Sequence, residues 1–96
     1  MHLEIITPEQ RIFSGEVDAV QLPGLDGLFQ ILKGHAPIIS GLNEGVVKVD
    51  LSAPLDDEQR KSKYIQSDTS NDRVIRVAIA GGVVELLSDN IIVLAE

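Results

Sequence analysis

The sequence predicts an all-β chain, a flattened β-sandwich or barrel of two antiparallel sheets. Three observations carry that expectation. Apolar residues alternate with polar ones at period two, as Val47, Val49 and Leu51 do with Lys48 and Asp50. Turn-forming residues interrupt these runs at roughly 8–12-residue spacing. No window holds a sustained helical stripe; residues 55–63 (LDDEQRKSK) have helix-friendly composition but no apolar face.

The elements follow in order. Leu3 and Ile5 supply a first short strand. TPEQ turns the chain, with Pro8 fixing the bend, and Ile12 and Phe13 resume it. EVDAVQLP (16–23) begins on one phase, Val17 and Ala19, and then switches to Val20 and Leu22. Such a switch predicts a β-bulge, because one extra residue reverses the face on which later side chains fall. Leu28 to Leu32 reads as strand beyond the Gly24–Gly27 turn. Ile75, Val77 and Ile79 alternate with Arg76 and Ala78, and Gly81-Gly82 breaks that run from VVELLS. Ser88-Asp89-Asn90 between VVELL and IIVLA is a hairpin signal. The core is expected from Val, Ile and Leu, since aromatics make up 3% of the chain.

The 96 residues read as a single β-sandwich domain. An apolar content of 44% argues for a packed core rather than disorder. With no cysteine there is neither a disulfide framework nor a thiolate metal site. The formal charge is −7, from 15 acidic and 8 basic residues. Nucleic-acid binding depends on Lys and Arg neutralising phosphates, so no nucleic-acid partner is expected. The apolar runs are far shorter than the ~20 residues that span a bilayer, so no direct membrane insertion is expected. The start, MHLEIITPEQR, lacks the basic region of a signal peptide, and an intracellular location is expected.

Residues 52–73, SAPLDDEQRKSKYIQSDTSNDR, are strongly polar. The expectation is a polar insertion ending in a protruding hairpin, with KYIQ pairing back on VIRV. No internal repeat appears.

The stretch LPGLDGLFQILKGHAPIIS (22–40) holds three glycines, two prolines and a histidine. A phosphate cradle would need a glycine loop opening a helix. Here strand follows instead, Asp26 would repel phosphate, and no GxGxxG or GKS/GKT is present. A catalytic zinc usually takes three protein ligands, and the chain has two histidines, His2 and His35. His35 reads as a loop residue whose ring bonds local backbone, or as an interface contact. No serine lies in a GxSxG elbow. No catalytic residue, metal or cofactor is therefore expected. What remains is a shaped surface: glycines that permit close backbone approach, prolines that stiffen the entries, and Leu25, Leu28, Phe29 and Ile31 between them. Apolar residues on a rigid loop mark a protein interface.

At these residues the segment order becomes familiar. TPE…FSGEV, LPG..G.F.IL.GHAP and GG.VE….V.VLA, in this order over about three quarters of the chain, resemble the N-terminal β-sandwich domain of the epsilon subunit of the rotary (F-type) ATP synthase. The resemblance implies a non-catalytic central-stalk subunit of a proton-translocating ATP synthase. It would bind the gamma subunit and the membrane c-ring and couple rotation to ATP synthesis. The implied location is the cytoplasmic face of the bacterial inner membrane, held there through the complex; the stroma-facing side of the thylakoid is the lesser expectation. The family's ring-facing loop falls on Asp26, Gly27, Leu28, Phe29 and Gln30, and its gamma-facing positions match Thr7, His35 and Ser40.

The chain departs from the family pattern in three places. Leu28 stands where an acidic residue is usual, and Gln30 and Lys33 stand where glycine and proline are common. The ring contact implied here is thus more apolar, through Leu28 and Phe29. The 52–73 segment is longer than the family usually carries. The chain stops at Glu96, where most members continue into a C-terminal helical hairpin. A short form is therefore expected to lack inhibition by helix insertion and the nucleotide site that some members carry. The alternative is a β-sandwich module for peptide or carbohydrate. Such modules rely on exposed aromatics, and Phe13, Phe29 and Tyr64 are the only aromatics present.

Overall fold

The computed structural model describes all 96 residues. It contains nine strands: β1 (His2–Ile6), β2 (Arg11–Gly24), β3 (Gly27–Leu32), β4 (Ile38–Leu42), β5 (Gly45–Leu51), β6 (Gln66–Ser67), β7 (Val74–Ile79), β8 (Gly82–Leu87) and β9 (Asn90–Ala95). A single helical turn, α1 (Asp57–Arg60), lies between β5 and β6.

The 14-residue strand β2 organises the molecule. Its first half pairs with β1, and its second half lies between β3 and β5. Two layers result, β3-β2-β5-β7-β6 and β2-β1-β9-β8-β4. They share β2 and meet again where Gly24 pairs with Leu42 of β4. The expected pair of antiparallel sheets is thus one hydrogen-bonded ribbon folded on itself. A single pairing, β1 with β9, is parallel. The tight turns force β1 against β2 and β8 against β9 in opposite directions. The first and last strands then lie side by side, pointing the same way.

The switch from one layer to the other occurs where the phase change predicted a bulge. The β2–β5 register shifts between Val17 and Ala19, Asp18 is pushed outward, and Ala19 and Val20 are both buried. A bulge bends its strand and adds twist, which lets β2 serve both layers. Ser88 and Asp89, at φ 51° and 67°, make the two-residue turn of the β8–β9 hairpin. Positive φ at both central positions matches the twist of the flanking strands.

The core is one cluster of 21 residues drawn from both layers, and no polar or charged side chain is buried in it. Leu3, Ile5, Val20, Leu22, Ile31, Val47, Val49, Val77, Val84, Ile91 and Val93 are fully enclosed. Each contributes about 1.5–3 kcal/mol of burial.

The 52–73 segment is tied down more than its polarity predicts. Leu55 and Ile65 join the core. Between them α1 is capped by Asp56, whose Oδ1 accepts from the Gln59 amide at 2.7 Å. Gln59 Nε2 donates to the Ser14 carbonyl at 3.0 Å. The segment is a strap pinned at two apolar points. The hairpin with VIRV forms, but only Gln66 and Ser67 pair, with Arg76 and Ile75; Lys63 and Tyr64 stay outside the ladder.

Candidate functional site

The β2–β3 hairpin forms the tip of the first layer. Gly24 pairs with Gly27, leaving Leu25 and Asp26 as the connecting residues. The positive φ falls on Gly27 (119°), which a side chain would strain. Gly24 is fixed by space: a Cβ there would lie 2.8 Å from the Gly27 carbonyl oxygen and from the Phe29 ring. The tip therefore presents Leu25, Asp26, Gly27 and Leu28 to solvent, with Leu28 68% exposed. Of the predicted ring-facing residues, Asp26, Gly27, Leu28 and Gln30 are exposed, whereas Phe29 is half-buried and packs against the core. The strand alternation turns Phe29 and Ile31 inward and Leu28, Gln30 and Leu32 outward.

The outer face of the second layer divides sharply. Gly41, Val83, Leu94 and Ile6 stand in one cross-strand row through β4, β8, β9 and β1. Ile39, Glu85, Ile92 and Glu4 form the next. Ile39 is 74% exposed, and Leu87, Leu94 and Val83 are also open to solvent. Toward β1 and β2 the same face becomes charged. Arg11 bonds Glu4 at 3.3 Å, and His2 Nδ1 lies 2.9 Å from Glu16. On the outer face of the first layer a polar ladder of Gln30, Gln21, Lys48, Arg76 and Gln66 crosses the middle, with the exposed Leu28, Leu32 and Val46 beside it. An uncovered, contiguous apolar stripe on a sheet face is the pattern of a docking surface.

The two apolar surfaces touch. Leu25 at the hairpin tip lies against Gly41 of β4, where a Cβ would come within 2.9 Å of Leu25 Cδ1. Leu25, Leu28, Phe29, Ile38 and Ser40 line a shallow depression between the tip and β4.

The predicted gamma-facing residues do not form one cluster. Ser40 directly precedes Gly41, at one end of the apolar row, and its hydroxyl donates to the Gly41 carbonyl at 3.2 Å. Thr7 follows Ile6 at the other end, its Oγ1 bridging the Gln10 amide and carbonyl at 3.2 Å. His35 is exposed at the opposite end of the sheet, and its Nδ1 lies 2.6 Å from the Ala36 carbonyl oxygen. Its ring thus bonds local backbone, as one of the two sequence readings held. Sequence reasoning missed the face between Ser40 and Thr7. The available signal was consecutive apolar residues in IIS, VVELL and IIVLA: in a strand, neighbours point to opposite faces, so one of each pair must look outward.

The most perturbed ionisable group lies elsewhere, at the β6–β7 hairpin. The Arg76 guanidinium, 2.8 Å from Asp68, holds that carboxyl well below the usual carboxylate range, helped by the Ser70 and Asn71 amides and the Ser70 hydroxyl. The ring of donors is local turn chemistry that closes the hairpin.

Comparison with known proteins agrees with this architecture. The family model of the ATP synthase delta/epsilon chain β-sandwich domain matches residues 1–96. The chain is 40% identical over 94 residues to the ATP synthase epsilon chain of Chlorobaculum tepidum, covering 98% of this chain and 86% of that one. It is 54% identical over 55 residues to the epsilon chain of Chlorobium limicola, covering 57% of this chain and 62% of the relative. The Salinibacter ruber epsilon chain is 33% identical over 94 residues, but this chain spans only 56% of its length. Among solved structures, a chain of the Euglena gracilis mitochondrial ATP synthase (OSCP/F1/c-ring) superposes with a TM-score of 0.71 at 16% identity, over 97% of this chain and 48% of that chain. A chain of the Tetrahymena thermophila mitochondrial ATP synthase central stalk and c-ring superposes with a TM-score of 0.64 at 15% identity, over 98% of this chain and 63% of that chain. Full-length coverage by the family model, together with the nine-stranded layered fold and the 40%-identical relative, shows that this chain belongs to the ATP synthase delta/epsilon chain β-sandwich family.

Proposed function

We propose that this chain is a non-catalytic central-stalk subunit of a proton-translocating ATP synthase. It binds the gamma subunit with the outer face of β4, β8 and β9, and it rests on the c-ring through the β2–β3 tip. The observation that carries this reading is the pair of exposed apolar surfaces joined where Leu25 lies on Gly41. One rigid body with two adjoining contacts can tie a shaft to a ring. Asp26, Gly27, Leu28 and Gln30 supply the ring contact, with Phe29 bracing it from behind. Ser40 and Thr7 flank the gamma contact at the two ends of the Gly41–Ile6 row, and His35 borders it at the far end of β4. The stripe is flanked by carboxylates, Glu85 and Glu4, so the complementary gamma surface is apolar with a basic margin. A peripheral position on the cytoplasmic face of a bacterial inner membrane follows from that assembly.

Backbone pairing gives the contact its stiffness. Each strand of the face is hydrogen-bonded to a neighbour, and the core behind it is closed. A specific interface buries about 800 Å² per partner, within reach of one sheet face of a domain this size. The test is co-purification of gamma with this chain and with Val83→Asp or Ile39→Asp. Both variants change solvent-facing residues and should stay folded while losing gamma. Retention of gamma by both would remove the face from the account, and enrichment of glycans or peptides instead would favour a binding module.

A further inference from the structure

β3 has one free edge, and we infer that two copies of this chain pair through it, antiparallel about Gln30, into a sheet continuous across both molecules. The inference is independent of the stalk reading.

The orientation of the β3 backbone follows from its hairpin. Gly24 and Gly27 close a two-residue connection, so they form a hydrogen-bonded pair, and along the unbroken register Phe29 and Ile31 bond β2 in turn. Leu28, opposite Pro23, falls in a non-bonded pair, as the missing proline N–H requires. The Pro23 carbonyl confirms the geometry by accepting from the Asn43 amide on the side away from β3. Leu28, Gln30 and Leu32 therefore direct their N–H and C=O groups away from β2, where no strand lies. Only the Leu32 carbonyl has a partner, the His35 amide at 3.0 Å, and a carbonyl oxygen can accept a second bond.

This edge has none of the usual protection. Natural edges carry charges, prolines or bulges that turn other strands away. GLFQIL has no charge, no proline and no register shift. Its outward residues Leu28 and Leu32 are 68% and 53% exposed.

The same edge of a second copy is its complement. With Gln30 facing its own equivalent across a two-fold axis, each Leu28 stands opposite the partner's Leu32, and the two exposed leucine pairs cover each other. The Asp26 end of one strand then meets the Lys33 end of the other, so opposite charges flank both ends of the seam. The arrangement is isologous and closes at two copies. It also uses Leu28, so it would compete with the proposed ring contact.

Sedimentation equilibrium of the purified chain, from micromolar to millimolar concentration, tests the inference. The mass should double across that range. Gln30→Pro removes the outward N–H while leaving the β2 bonds intact, and a proline is tolerated where the N–H faces solvent; this variant should stay monomeric throughout. If Gln30→Pro fails to fold, the charge pair decides: Asp26→Lys should weaken dimerisation at least tenfold, and Asp26→Lys with Lys33→Asp should restore it. A wild-type chain that remains monomeric at millimolar concentration overturns the inference. So does a dimer unaffected by a folded Gln30→Pro or by the charge reversal.

Discussion

Leu25 lies on Gly41 so closely that a Cβ added to the glycine would meet its Cδ1 at 2.9 Å. That contact joins the hairpin tip of one layer to the first strand of the other layer's apolar face. Gly41→Ala must displace Leu25, whose exposed side chain can swing away at little cost to the fold. The expected result is a thermal midpoint within a few degrees of wild type and a clear loss in assembly with purified stalk and ring components. An unchanged assembly constant would show that the two surfaces act separately.

Leu28 is the most exposed apolar residue of the tip and touches no core cluster. Leu28→Asp should leave stability within about 0.5 kcal/mol, as surface substitutions do. It should nonetheless uncouple ATP hydrolysis from proton pumping in reconstituted vesicles. Phe29→Ala behaves differently. The ring packs on the core, so truncation should cost about 1–3 kcal/mol in urea unfolding as well as impairing coupling. Equal stability losses in the two variants would contradict the assigned sidedness of β3.

Leu55 and Ile65 pin the 52–73 strap to the core. Leu55→Ala should destabilise the domain by about 2–4 kcal/mol. A change near zero would mean that the strap is a free loop.

The Asp68–Arg76 pair gives the fold an acid-sensitive contribution. Arg76 and the neighbouring donors depress the Asp68 pKa below its ordinary value of 3.8, so the ionised form is the one the fold favours. The resulting stabilisation is complete above that value and is lost as pH falls from it through the lower folded-state pKa. Urea titrations should show wild type more stable than Asp68→Asn at neutral pH, with the gap closing in strongly acidic solution. A gap that persists there would assign the effect to packing rather than charge.

The strands were legible in the sequence because burial on one face imposes period two. Even the β2 bulge could be read from the step between Ala19 and Val20. The parallel β1–β9 pairing was not, since residues so distant in the chain leave no local trace of their neighbours. The anchoring of the strap was not legible because Leu55 and Ile65 are isolated apolar residues in a polar run, and isolated residues carry no period. Among candidate site residues, the exposed tip was visible in its glycines and leucines. The inward turn of Phe29 needed the hairpin register, which depends on where the two-residue connection falls. The apolar face of β4, β8 and β9 was hidden in runs that alternation alone treats as core.

The central claim, that an apolar sheet face binds the stalk shaft, is tested most directly by measuring gamma-subunit affinity for the wild-type chain and for Val83→Asp with Leu94→Asp. These two residues are cross-strand neighbours in the middle of the face. The account predicts a native fold by circular dichroism and at least a hundredfold loss of gamma affinity. A folded double variant that binds gamma as tightly as wild type would contradict it.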